Sequence, residues 1–112
     1  MLSRVPRAIV FRAVNTRRHI YYVYILCNHR NGTLYVGVTN NIHERLCEHR
    51  AGKSRFTARY GVRRLVYLES FQYVNDAIAF EKRLKKYPRQ WKINLIEARN
   101  PEWSELELHP FD

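Results

Sequence analysis

Apolar and polar positions change period along this chain, and the changes divide it into elements. Tyr22 to Cys27 (Tyr-Val-Tyr-Ile-Leu-Cys) is β-branched and aromatic, and Leu34 to Thr39 (Leu-Tyr-Val-Gly-Val-Thr) is a second such run. Asn31-Gly32 between them is a strong hairpin signal, so the two runs predict antiparallel strands joined by a tight turn. Strand side chains alternate faces, which sends Leu34, Val36 and Val38 to the core and Tyr35 and Gly37 to the other side. There a phenol stands beside a glycine, where a ligand or another backbone can come close. The period then becomes helical. Asn41 predicts an N-cap with Glu44 at the capping-box position, Ile42 and Leu46 form the buried stripe, and Gly52 supplies the stop. Arg45 and His49, also four apart, flank that stripe and reach the rim where helix meets sheet. Tyr24, Tyr35, Arg45 and His49 are therefore expected around one hollow.

Gly52 to Gly61 is a basic connector with aromatics among the charges, open to reading as a short helix or a loop. It can follow a phosphate backbone while Phe56 or Tyr60 stacks on a base, or it is a solvated connector whose Phe56 tucks into the core. Arg64 to Phe71 predicts a third strand, and Asn75 predicts the cap of a helix running to Tyr87 and stopped by Pro88. On that helix Ala77, Phe80, Leu84 and Tyr87 make the apolar stripe, Lys82, Arg83 and Lys86 point away, and Glu81 projects from the buried side. A core-facing acid is costly unless paired or bound to a metal, so Glu81 is either held by an arginine, Arg45 included, or belongs to a site. A further helix from Arg89 to Ala98 is expected to bury Trp91, Leu95 and Ala98 with Asn94 at its edge, and Trp103, Leu106 and Leu108 to pack a terminal turn or helix.

Charge then narrows the partners. The 112 residues fit one domain, and 20 basic against 10 acidic side chains give a net charge of +10. That balance favours an anionic partner. Nucleic acid is favoured over an anionic membrane surface because the basic residues are interleaved with tyrosines, and Lys53, Arg55, Arg59, Tyr60 and Lys85 are the candidate contacts. No apolar run approaches the roughly 18 residues of a membrane span. Cys27 and Cys47 lack zinc-site spacing and are expected as buried free thiols of a reducing cytosol. Residues 1–19 hold five arginines and no acid. They read as a disordered basic arm or an extended start, with a transit peptide as the alternative, before a folded domain at 20–108 and a tail at 109–112.

With these elements in order, the chain resembles the small stand-alone bacterial members of the GIY-YIG nuclease family. Tyr22-Val23-Tyr24 stands at the GIY position and Tyr35-Val36-Gly37 at the YIG position, followed by Arg45, His49 four residues on, and Glu81 on a later helix. The match departs from the pattern at Tyr22, which replaces the first glycine, and at the two valines that replace isoleucine. The resemblance implies an α+β fold with a three-stranded antiparallel sheet flanked by helices, and a metal-dependent endonuclease that hydrolyses phosphodiester bonds of DNA. On that reading Glu81 holds Mg²⁺ or Mn²⁺, Tyr24 or Tyr35 binds or deprotonates the attacking water, and Arg45 neutralises charge on the phosphorus oxygens. His49 takes a proton or orients a tyrosine. An asparagine found on the last helix of some members corresponds to Asn94. A bare domain implies relaxed sequence choice, weak activity or a partner for targeting, and the alternative is a nucleic-acid-binding module on the same fold with little or no turnover.

Overall fold

A computed structural model of the chain describes residues 20–110 and 112, so the basic arm expected at 1–19 lies outside the described residues. The elements run β1 (Tyr21–Cys27), β2 (Leu34–Thr39), α1 (Ile42–Arg50), α2 (Arg55–Tyr60), β3 (Arg64–Phe71), α3 (Val74–Lys86) and α4 (Arg89–Arg99). The strands form one antiparallel sheet in the order β2-β1-β3. Asn31 supplies the left-handed residue of the β1–β2 turn at φ 61, and the Gly32 amide donates to the His29 carbonyl. Arg89 closes the turn from outside by donating to the carbonyls of Asn31 and Gly32.

Central β1 is covered on both faces, which explains its continuous apolar run. Val23, Ile25 and Cys27 face a layer made by Ala77 and Leu84 of α3, Ile96 of α4, and Trp103. Tyr22, Tyr24 and Leu26 face the other layer, with Ile42 and Leu46 of α1, Val62 and Leu65. The β1–β3 register shifts between Ile25 and Leu26, pairing them with Tyr67 and Leu65 and skipping Val66. This bulge lets the consecutive residues Val66 and Tyr67 enter the same core layer.

The helices depart from expectation in instructive places. The Ala77 amide bonds the Tyr73 carbonyl, so α3 begins at Val74, and Asn75 lies inside the first turn instead of capping it. On α4 Ile96 is buried and Ile93 and Leu95 pack half-buried against the same core, so Leu95 lies where expected while Trp91 and Ala98 do not. Trp91 stays 57% exposed, its ring set edge-on against Tyr87, and Ala98 is exposed. The bulk of the tryptophan had favoured the wrong face. Cys27 is buried as expected, whereas Cys47 points outward from α1 and is exposed.

No helix follows Arg99 among the described residues. The chain instead folds back on Asn100, whose side-chain amide donates to the carbonyls of Val66 and Ser104 while its oxygen accepts from the Ser104 amide. Trp103, fully buried with φ 57, donates its indole N–H to Glu97 at 2.7 Å. The Leu106 amide then bonds the Leu65 carbonyl, which brings Leu106 and Leu108 onto the layer that contains α1. None of the described helices is long and apolar enough to cross a membrane.

Candidate active site

Tyr24 sits on the central strand directly opposite Gly37 of β2, and its side chain is fully buried. A Cβ at position 37 would lie 2.3 Å from the phenol oxygen and 2.4 Å from Cζ, so the Tyr24 ring occupies the space that glycine leaves. The gap anticipated beside Tyr35 is thus filled by the protein's own phenol, and no ligand enters it. Gly37→Ala is expected to force the buried ring out of place, costing about 1–3 kcal/mol of stability, the usual range for overpacking. Urea denaturation checks the loss, and an unchanged midpoint would contradict this packing.

Helix α1 brings the second pair of groups to the same place. Asn41 caps it by accepting the Glu44 amide at 3.1 Å, which fixes where the helix starts and sends His49, on its last turn, inward to 2% exposure. The Tyr24 hydroxyl and His49 Nε2 are 2.9 Å apart, and His49 Nδ1 is 3.0 Å from the Thr57 hydroxyl of α2. Burial and the Arg45 charge hold the imidazole below its ordinary pKa. Burial, reinforced by Tyr35, pushes the Tyr24 phenol well up, only partly offset by the Arg45 guanidinium at its oxygen. Near neutral pH the pair is therefore a protonated phenol and an uncharged imidazole.

Tyr35 stands in front of this pair. Its ring lies 5.0 Å from His49 and 6.2 Å from Tyr24, centroid to centroid, and it is only half-buried. With Arg45, Glu48, His49, Lys53 and Ser54 it lines an open hollow of about 170 Å³. Arg45 is held there by an ion pair from Nε to Glu48 at 3.1 Å. Tyr35, Arg45 and His49 line the hollow, and Tyr24, the fourth residue expected there, is sealed behind them against His49.

An aromatic path leads outward from Tyr35 to Phe56 at 5.9 Å and on to Tyr60 at 4.9 Å, with the Arg59 guanidinium over the Tyr60 ring. Phe56 and Tyr60 are each 43% exposed, so the connector is a helix and Phe56 is not tucked into the core. Lys53, Arg55 and Arg59 are exposed along the same surface.

Glu81 stands on α3, which packs against β1 and the edge strand β2. It is 8% exposed, and it is not part of the lining of the hollow. Its ion-pair partner is Lys85 at 2.5 Å, one helical turn on, and not an arginine. Lys85, expected among the nucleic-acid contacts, is therefore engaged with this carboxylate. Asn94 is exposed on α4 and accepts from Gln90. No cluster of three or more His, Cys, Asp or Glu that could hold a metal ion exists among the described residues. A carboxylate oxygen is the kind of donor a hydrated hard cation takes, and the lysine that now neutralises Glu81 has a side chain 55% exposed.

Thr57 and Glu48 escaped the sequence. Thr57 sat in a connector that had no committed helical phase, and Glu48 looked like one more exposed charge on α1. Once α2 is a helix, Thr57 turns toward His49 and is fully buried, which for a hydroxyl demands partners.

A three-stranded sheet with tyrosines on adjacent strands, backed by an arginine–histidine helix and followed by a helix bearing one buried acid, defines a class of nuclease domain. The model of the GIY-YIG catalytic domain matches residues 20–94, and the chain belongs to the GIY-YIG family. It is similar to the UPF0213 protein of Oceanobacillus iheyensis, 39% identical over 84 residues that cover 73% of this chain and 95% of the relative. The UPF0213 protein of Bacillus licheniformis is 40% identical over 91 residues, covering 80% of this chain and 90% of that one. The solution NMR structure of the UPF0213 protein BH0048 from Bacillus halodurans matches with a TM-score of 0.51 at 29% identity, covering 77% of this chain and 92% of that structure. The three-stranded antiparallel sheet expected from the sequence is the observed one.

Proposed function

We propose that this protein is a divalent-cation-dependent endonuclease that hydrolyses phosphodiester bonds of DNA. The observation that carries the reading is the hollow in which Tyr35 and Arg45 are open to solvent in front of the buried Tyr24–His49 pair. Exposure separates the two tyrosines: Tyr24 is sealed, so Tyr35 is the phenol that meets the attacking water. A phenol is a weak base at neutrality, and the Arg45 guanidinium lines the same hollow as Tyr35. Tyr35, after giving its own proton to bulk water, takes the attacking water's proton, and Arg45 then faces the negative charge that builds on the phosphoryl oxygens. Tyr24 and His49 are positioning residues that hold Tyr35 and Arg45 from behind.

Glu81 would hold Mg²⁺ or Mn²⁺ once Lys85 turns aside. A divalent cation bound there supplies charge neutralisation at the scissile phosphate. Lys53, Arg55 and Arg59 follow the phosphate backbone, and Phe56 and Tyr60 offer stacking faces beside the hollow. The net charge of +10 favours this polyanion. A protein with this activity would work where nucleic acid is, in the cytoplasm and its nucleoid.

Glu81→Ala tests the reading. The variant is expected to cut DNA at least 100-fold more slowly in Mg²⁺ or Mn²⁺, yet to bind labelled DNA at low salt as well as wild type or better, because it removes a negative charge from a positive protein. Cleavage at the wild-type rate would overturn the metal assignment. Salt-sensitive binding with no product from the wild type in either metal would make this a binding module instead.

A further inference from the structure

Behind the hollow, three side chains and one backbone carbonyl form a single file. The Thr57 hydroxyl is 3.3 Å from the Ser54 carbonyl and 3.0 Å from His49 Nδ1, and His49 Nε2 is 2.9 Å from the Tyr24 hydroxyl. One end has a fixed role. A carbonyl can only accept, so the Thr57 hydroxyl points its one hydrogen at Ser54 and has only lone pairs left for His49. Thr57 donates to Ser54 and accepts from His49 Nδ1–H. His49 therefore carries its proton on Nδ1 and offers the Nε2 lone pair to the Tyr24 O–H, which leaves the lone pairs of the Tyr24 oxygen for the nearby positive charge of Arg45.

We infer that Thr57 is a positioning residue that fixes the tautomer of His49 and, through Tyr24, the place of Arg45 at the hollow. Thr57 is fully buried and His49 nearly so, and water is thereby kept from substituting for either partner. Nothing in helix α2 requires a hydroxyl at this position, because the Ala58 amide already bonds the Ser54 carbonyl at 2.9 Å. The consequence for cleavage rests on the function proposed above; the tautomer does not.

The test is the nitrogen-15 spectrum of the imidazoles in the uniformly labelled protein, with the His49 signals assigned by their loss in His49→Gln. Wild type is expected to show protonated Nδ1 and unprotonated Nε2. A protonated Nε2, or an even mixture, would overturn the proposal without any variant and whether or not the protein cuts DNA. In Thr57→Val, nearly isosteric, the spectrum is expected to move toward the Nε2–H form, and Thr57→Ser is expected to restore Nδ1–H. In the cleavage assay Thr57→Val should lower kcat about tenfold with KM unchanged, and Thr57→Ser should recover it. An unaltered tautomer in Thr57→Val would show that the hydroxyl does not set it.

Discussion

Tyr35→Phe is expected to slow DNA cleavage by about 10²–10⁴-fold, the usual contribution of a positioned general base, while leaving the fold and low-salt binding intact. Only the hydroxyl is removed, and the ring contacts with His49 and Phe56 survive. Tyr24→Phe is expected to cost less, about 10²-fold, because the sealed phenol acts through placement of its neighbours and not by meeting the water. Combining Tyr24→Phe with His49→Ala should cost little more than the larger single change, since both cut one hydrogen-bonded file. Single-turnover rates on one labelled substrate decide the order. A Tyr24→Phe defect larger than that of Tyr35→Phe would reverse the roles given to the two tyrosines. The pair also sets a pH limit. His49 is uncharged in the fold with its pKa held below the ordinary imidazole value, so the stability it confers is present above that ordinary value and is lost as pH falls through the lowered one.

Trp103→Ala is the most damaging substitution expected for the fold, at about 3–5 kcal/mol by the measure of other buried aromatics truncated to alanine. The side chain is fully buried against both helices of its layer, and its removal also strips Glu97 of the indole N–H. Domains of this size have total stabilities of about 5–15 kcal/mol. With each kcal/mol worth about 4–8 °C in a small domain, the melting midpoint should fall by more than 10 °C in differential scanning calorimetry. A drop of only a few degrees would mean that the residues after Arg99 are not part of the core.

Much of this architecture is legible in the chain because local signals and burial agree. Asn31-Gly32, the Asn41 cap and the three β-branched runs each specify an element within a few residues, and the structure has those elements. The tyrosines and His49 were likewise readable, since strand alternation and a four-residue helical spacing bring them to one rim. What escaped depends on contacts distant in sequence. The face of α4 is chosen by where Ile96 meets the sheet, and Trp91 yields to it. That Tyr24 lies across Gly37 follows from β1–β2 register, which no tripeptide reveals. The partner of Glu81 was sought among the arginines, yet the helix itself supplies Lys85. Thr57 became visible only when α2 acquired a buried face.

Cleavage itself tests the proposed chemistry. Purified wild type is to be incubated with labelled single-stranded, duplex and branched DNA, with RNA alongside, in Mg²⁺, in Mn²⁺ and in EDTA, with Tyr35→Phe from the same preparation guarding against contaminating nuclease. Cleavage of DNA is expected in at least one metal, with none in EDTA and little or none by Tyr35→Phe. Binding without cleavage on every substrate, or equal cleavage by the variant, would contradict it.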